Sequence, residues 1–330
     1  MTARPRPVPY DRALEPGLAK SRELVEPVPL RAGTIAASRA HFTTLIPTAE
    51  EAVGDRPVEF RHVTAAGPAG APDLELTVLR PRGGTRDAPG IYGIHGGGMV
   101  LGNRFFCVPG LVEDVLEFGA VAVAVGYRLA PEHPAPAAAE DCYAGLVWFA
   151  EHAAALGVDP ARVLVAGASA GGGLSAAVAQ MARDRGGPAL AGQILDCPML
   201  DDRNDTVSSR QYDGIGIWDR GSNDTAWNAV LGPDRGAGAV SPYAAPSRAA
   251  DLSGLPPAYI SVGAAEVFRD EAVDYATRIW ATGGRAELHV WAGGYHGFTG
   301  FSPDTEVARA AVAARASWIR RVLGTTGRTA

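Results

Sequence analysis

The sequence predicts an α/β protein built on a mostly parallel β-sheet with helices on both faces. Two observations carry that expectation. Strand-like and helix-like segments alternate from about residue 57 onward, as right-handed β-α-β crossovers require. The later strand-like segments are continuous apolar runs, which suits strands covered on both faces. At 330 residues, with 47% hydrophobic and 20% charged residues, the chain suffices for one large domain or two ordinary ones with a sizeable core.

Eight strands are predicted: VEFRHVTA (58–65), LELTVLRP (74–81), GIYGIHG (90–96), AVAVAVGYRL (120–129), RVLVAGAS (162–169), AGQILDCPML (191–200), PAYISVGA (257–264) and AELHVWAG (286–293). Helical patterns lie between them. CVPGLVEDVLEFG follows the third strand, AAAEDCYAGLVWFAEHAAALG precedes the fifth, and GGLSAAVAQMARDRG follows it. RDEAVDYATRIWATGG joins the last two strands, with Gly283-Gly284 as its stop, and TEVARAAVAARASWIRRVLG comes last.

Two regions break the alternation. Residues 1–56 are rich in Pro and short of apolar runs, with RAGTIAASRAHFTTLI as an amphipathic helix candidate. Residues 201–250 hold no clean strand. A structureless loop of that length is unfavourable, so short helices are expected within it. The expected organisation is an N-terminal segment (1–56), a core (57–200 and 251–330) and an insertion (201–250). The insertion follows the C-terminal end of a strand, the edge where ligands bind in open α/β sheets. With the N-terminal segment it is placed to build a lid.

Composition narrows the function. Net charge is −6 with no basic stripe, so nucleic acid is not an expected partner. No apolar run approaches 18 residues, so no membrane span is expected. The start, MTARPRPVPYDRALEPG, lacks the apolar stretch of a signal peptide, and a cytoplasmic location is expected. Lys20 is the sole lysine in an Arg-, Ala- and Gly-rich chain, which points to a GC-rich bacterial genome. Cys107, Cys142 and Cys197 are far apart, without a CxxC pair. They read as buried free thiols, with no metal site expected.

Three motifs carry chemistry. Gly167-Ala168-Ser169-Ala170-Gly171 lies between the strand RVLVA and a helical pattern. That context suits a nucleophile elbow, a strained strand-to-helix turn that needs small neighbours. It lacks the spacing of a dinucleotide loop or a P-loop. His95-Gly96-Gly97-Gly98 ends the third strand. Its glycines let backbone N–H groups converge on one point, as an oxyanion hole requires. His296, in Gly294-Tyr295-His296-Gly297-Phe298, lies on a loop after the last strand. His41, His62 and His152 read as surface positions, His289 as a strand residue and His133 as part of a Pro-rich turn.

HGGG (95–98), YRLAPEHP (127–134), GASAGG (167–172), a late acid and GYHGF (294–298) together resemble the hormone-sensitive-lipase family of α/β-hydrolases, the bacterial type IV esterases. The resemblance spans roughly residues 57–324. It implies an α/β-hydrolase fold with an eight-stranded sheet, and a helical cap built from the N-terminal segment and the 201–250 insertion. It also implies Ser169 as nucleophile, His296 as general base, and the N–H groups of Gly97, Gly98 and Ala170 as oxyanion donors. Glu132 and His133 are expected to brace the glycine loop or merely to shape a turn.

The acid lies in AEVFRDE (265–271), which offers Glu266, Asp270 and Glu271. In this fold the acid follows the serine and precedes the histidine. The seventh strand ends at Ala264, so Glu266 falls on the following loop. Asp270 and Glu271 fall where a helix begins, and acids there favour its N-terminus. Many relatives read DPLRD here, with Asp as the acid; in this chain Glu266 takes that position, and Asp270 is the alternative. Ala168 is a second departure, where many relatives carry Asp or Thr.

The resemblance implies a serine carboxylesterase acting on short- to medium-chain acyl esters of small molecules through an acyl-enzyme, without metal or cofactor. A homodimer stays open. Phe106, Tyr212, Trp218 and Trp227 are candidates for pocket lining or equally for cap core. A deacetylase of an acetylated natural product or amide is the alternative. A non-catalytic receptor on the same scaffold is disfavoured because Ser169, Glu266 and His296 are all present.

Overall fold

Segments such as VAVAV and AYISVG have no polar side to offer water, and each forms a strand buried along its whole length. The computed structural model describes residues 5–25, 28–235 and 239–324. The outermost parts of the expected N-terminal segment and core, and three residues of the insertion, lie outside the described residues. The strands are β1 (Val58–Ala65), β2 (Leu74–Pro81), β3 (Ala88–Ile94), β4 (Val121–Val125), β5 (Val158–Ala168), β6 (Gly192–Asp196), β7 (Ala258–Gly263) and β8 (Ala286–Trp291). They form one eight-stranded sheet in the order β1-β2-β4-β3-β5-β6-β7-β8. β2 is antiparallel to both its neighbours, and the other pairings are parallel.

The helices in chain order are α1 (Glu15–Val25), α2 (Ile35–Thr43), α3 (Ala49–Val53), α4 (Val108–Phe118), α5 (Ala137–Leu156) and α6 (Ala170–Arg185). They continue with α7 (Val207–Gln211), α8 (Arg220–Leu231), α9 (Arg269–Ala281), α10 (Phe298–Phe301) and α11 (Glu306–Leu323). Side chains on a strand alternate between faces, so neighbours divide between two cores. Tyr92, Val165 and Leu195 pack with Phe149 of α5 and Met181 of α6. Ile91, Leu164 and Ile194 pack with Val112 of α4 and Trp318 of α11. Among the described residues, no helix is long and apolar enough to cross a membrane.

The strand ends differ from the sequence reading for local reasons. Gly126 N–H still donates to the Glu75 carbonyl of β2 at 2.9 Å, and β4 ends there as Tyr127 turns to stack on His95, with ring centroids 4.1 Å apart. β6 stops at Asp196, because Cys197 takes φ 38° and turns the chain. The insertion carries the short helices α7 and α8, as its length implied.

The N-terminal segment divides between two tasks. α3 packs below the sheet on α4 and β1. Earlier residues grip the other end: Leu14 and Leu18 pack with Tyr295, Phe298 and Ala311, and Asp11 N–H donates to the Gly293 carbonyl at 3.1 Å. Burying each leucine contributes about 1.5–3 kcal/mol. That contact fixes the loop after β8. The segment also meets the insertion, where Tyr212 donates to the Val8 carbonyl at 2.7 Å.

The strand order reverses direction about β3, which has β4 on one side and β5 on the other. Such a switch point opens a crevice at the C-terminal strand ends. HGGG follows β3 and Ser169 follows β5, so the topology alone brings both motifs to that crevice.

Close packing there leaves no room for side chains. A Cβ on Gly171 would lie 2.1 Å from the Ile94 carbonyl oxygen and 2.7 Å from that of His95. Gly171→Ala is expected to destabilise the fold by about 2–3 kcal/mol, measured by urea unfolding. A midpoint equal to that of the unmodified protein would contradict this packing.

Candidate active site

The turn from β5 into α6 holds Ser169 at φ 59° and ψ −122°, a conformation that costs a non-glycine residue about 1–3 kcal/mol. Two hydrogen bonds maintain it. Ser169 N–H donates to the Asp196 carbonyl at 2.8 Å, and Met199 N–H donates to the Ser169 carbonyl at 3.0 Å. Small neighbours permit it: a Cβ on Gly167 would lie 2.3 Å from the Gly171 oxygen. The turn leaves Ser169 8% exposed at the head of α6. The first N–H groups of a helix lack intrahelical partners and face outward with a positive field.

The HGGG loop lies beside this turn. Gly97 and Gly98 take φ of 110° and 63°, where a side chain is strained. Leu101 N–H donates to the Gly97 carbonyl at 2.8 Å, which turns the Gly97 peptide. His95 backs the loop. Its Nδ1–H donates to the Gly96 carbonyl at 2.7 Å, and Tyr127 donates to the His95 carbonyl at 2.9 Å. Burial lowers the His95 pKa to about 4, against the opposing Gly96 bond. The ring is therefore neutral near pH 7 and serves as a wall.

Arg39 of α2 is a brace that the sequence reading missed. Its Nε donates to the Val100 carbonyl at 2.8 Å, and its Nη2 donates to the Ala130 carbonyl at 2.7 Å. Glu132 pairs with that guanidinium at 2.8 Å. Glu132 therefore reaches the glycine loop through Arg39. His133 contributes a backbone bond, its N–H donating to the Leu129 carbonyl at 3.0 Å.

The structure brings Ser169, His296 and Glu266 into one hydrogen-bonded line. His296 Nε2 is 3.1 Å from Ser169 Oγ, and His296 Nδ1 is 2.6 Å from Glu266 Oε2. Glu266 is 2% exposed, and its other oxygen accepts the Gly263 N–H at 2.9 Å. This bond ties the acid to the end of β7. Burial disfavours the charged imidazole, but its contacts with Cys197 and Glu266 favour it and raise the His296 pKa above 6.5. Burial also pushes the Cys197 thiol up, so that group is neutral near pH 7. Glu266 is then the partner of the imidazole Nδ1.

The other two acids of AEVFRDE act elsewhere. Both lie in the first turn of α9, but neither is a plain helix-opening charge. Asp270 accepts the Ser208 N–H at 2.7 Å and pairs with Arg269 at 2.7 Å. Glu271 is 3% exposed and accepts the Leu200 N–H at 2.7 Å. Burial pushes its carboxyl well above the usual range. The reading of Glu271 as a helix-opening charge is corrected: it braces the chain just after β6.

The four candidate aromatics separate. Trp227 is fully buried and Tyr212 is 1% exposed, so both are interior residues that offer no wall to a ligand. Trp218 is 9% exposed and packs on the glycine loop, where a Cβ on Gly98 would lie 2.4 Å from its ring. Phe106 is 38% exposed and meets Phe42 of α2 edge-on at 5.0 Å. Ala168 is exposed beside Ser169, so the crevice is open at the position where this chain carries a small residue.

The three cysteines are free, as expected, but Cys107 is only half-buried. Cys197 stands with Glu266 and His296, their donor atoms all within 4.8 Å of one another. The sequence reading placed Cys197 within the sixth strand, whereas β6 ends one residue before it.

Residues 91–300 match a family model described as alpha/beta hydrolase fold. The chain is 37% identical over 256 residues to carboxylesterase NlhH of Mycobacterium tuberculosis, covering 77% of this chain and 80% of that protein. It superposes on a bacterial heroin esterase with a TM-score of 0.86 at 35% identity, covering 95% of this chain and 98% of that one. A hyperthermophilic esterase from the archaeon Pyrobaculum calidifontis gives 0.85 at 33% identity, covering 96% and 100%.

The electrostatics make a direct prediction. An NMR titration of the His296 ring should give a midpoint above 6.5 in the unmodified protein. In Glu266→Gln the midpoint should fall, because burial then acts without the opposing anion. Equal midpoints would contradict the pairing.

Proposed function

We propose a mechanism for a chain that belongs to the hormone-sensitive-lipase family of α/β-hydrolases and is a carboxylic ester hydrolase. The proposed substrates are short- to medium-chain acyl esters of small molecules. One observation carries the reading: the line from Ser169 Oγ through His296 to Glu266, with steps of 3.1 and 2.6 Å.

His296 Nε2 takes the Ser169 proton as Oγ attacks the ester carbonyl carbon. The carbonyl oxygen gains negative charge and is held by the N–H groups of Gly97, Gly98 and Ala170. Each such donor contributes about 3 kcal/mol in the transition state. His296 then protonates the departing alcohol, leaving an acyl group on Ser169. Water attacks that acyl group with His296 again as base, and the acid leaves. Glu266 orients the imidazole and favours its charged form.

Two features support this assignment. Ser169 is at the head of α6, where unpaired amides and the helix dipole favour an oxyanion. His95 holds the Gly96 carbonyl and Arg39 the Val100 carbonyl, so the glycine loop between them needs little rearrangement. Binding energy would come from a cap formed by the N-terminal segment and the 201–250 insertion. Trp218 over Gly98 and the exposed Phe106 are the proposed walls of the acyl and alcohol pockets.

A substitution series tests the roles, with p-nitrophenyl acetate as substrate. Ser169→Ala should lower kcat by at least about 10⁴-fold while the protein stays folded. Glu266→Gln should lose about 10³–10⁴-fold, and Asp270→Asn less than about tenfold. Turnover retained by Ser169→Ala would remove the nucleophile assignment. A reversed order for the two acids would move the acid to Asp270.

A further inference from the structure

Cys197 is a buried nucleophilic group that the acyl-transfer steps do not use. We propose that Cys197, Glu266 and His296 form a binding site for a thiophilic divalent cation, Zn²⁺ foremost, and that its occupation switches the hydrolase off.

The donor set is suited to that ion. A sulfur, an imidazole nitrogen and a carboxylate oxygen are the protein ligands of Zn²⁺, which binds tetrahedrally. Zn–S near 2.3 Å and Zn–N or Zn–O near 2.0–2.2 Å place tetrahedral donors about 3.4–3.6 Å apart. The three donors here already lie within 4.8 Å of one another, so small side-chain rotations suffice. This is the one group of such donors among the described residues.

The backbone holds the thiol in place. Cys197 takes φ 38°, in the left-handed region that favours glycine, so the surrounding structure imposes the conformation. Its N–H donates to the Ser261 carbonyl at 2.6 Å, which ties it to β7, the strand that leads to Glu266. Access is sufficient for an ion: Cys197 is 9% exposed, and the His296 side chain is 12% exposed. A water can complete the fourth position.

The cation would act by separating the acid from the base. Glu266 and His296 are 2.6 Å apart, closer than two ligands of one tetrahedral ion. Binding must open that contact, so the ion replaces the proton between them. The Cys197 thiol gives its proton to water as the Zn–S bond forms. A charged imidazole likewise gives one proton to water, and the nitrogen away from the metal keeps the other. His296 then has no free lone pair with which to take the Ser169 proton. The cation site stands on geometry alone, while the loss of activity rests on the catalytic reading of His296 and Glu266.

Cobalt tests the site without activity. Titrating Co²⁺ into Ser169→Ala should give one equivalent bound, with a near-ultraviolet sulfur-to-cobalt charge-transfer band. Adding Cys197→Ala to that background should abolish the band. In parallel, Zn²⁺ should inhibit p-nitrophenyl acetate hydrolysis by the otherwise unmodified protein. In Cys197→Ala the Zn²⁺ concentration for half-inhibition, read against that variant's own metal-free rate, should rise at least about tenfold. Cys197→Ser, closer in size and polarity, should reproduce this and covers any folding defect of the alanine variant. Absence of the band in Ser169→Ala, or Zn²⁺ sensitivity in both cysteine variants equal to that of the unmodified protein, would overturn the proposal. Esterase activity surviving in Ser169→Ala would sink the catalytic reading, while the band would still report the cation site.

Discussion

The strained backbone at Ser169 is the constraint on which the rest of the site depends. A serine at φ 59° persists only when its surroundings over-determine it. Here β6 holds the turn through the Asp196 carbonyl, and the chain beyond β6 holds it through the Met199 amide. Those bonds hold the β5–α6 turn against the end of β6, and Gly171 lies against the end of β3. Glycines at 167, 171 and 173 make that approach feasible, since a Cβ at any of them would meet backbone oxygen at 2.3 Å or less. The same approach sets HGGG beside the serine. The geometry that strains Ser169 therefore also assembles the rest of the crevice.

Burial then divides the carboxylates by environment. Glu266 and Glu271 are both nearly inaccessible. Glu266 faces an imidazole, whereas Glu271 accepts backbone amides near other acids and is pushed by burial toward its neutral form. Asp270 is closer to solvent and is paired with Arg269. Three acids within one short stretch thus perform three tasks: pairing a histidine, bracing the chain after β6, and tying α9 to α7. The raised pKa of His296 has a consequence for rate. The shift favours the charged ring, so a free lone pair on the imidazole becomes more available as pH rises.

Much of this arrangement was legible in the sequence. Continuous apolar runs marked the strands because a strand covered on both faces has no polar side. GASAG and HGGG were readable because tight turns and close backbone approach restrict the residues allowed. Glu266 was separable from Asp270 because one falls on a loop and the other on a helix. Arg39 was not legible: in an amphipathic helix candidate an arginine reads as a solvent-facing charge, and its partners are backbone carbonyls about 60 and 90 residues away. Nor was Cys197, because a cysteine after a buried strand reads as core unless the neighbouring loops are known. Tyr212 and Trp227 were ambiguous for the reverse reason, since an aromatic lining a pocket and one filling a cap look alike in sequence.

The account centres on a serine made nucleophilic by His296 and Glu266. The most direct measurement is reaction with diethyl p-nitrophenyl phosphate, followed by intact-mass and peptide mass spectrometry. One diethylphosphoryl group should appear on Ser169, together with one equivalent of p-nitrophenolate. The reaction should vanish in His296→Ala and in urea-unfolded protein. Labelling at another residue, or labelling of Ser169 that survives loss of His296, would contradict the account.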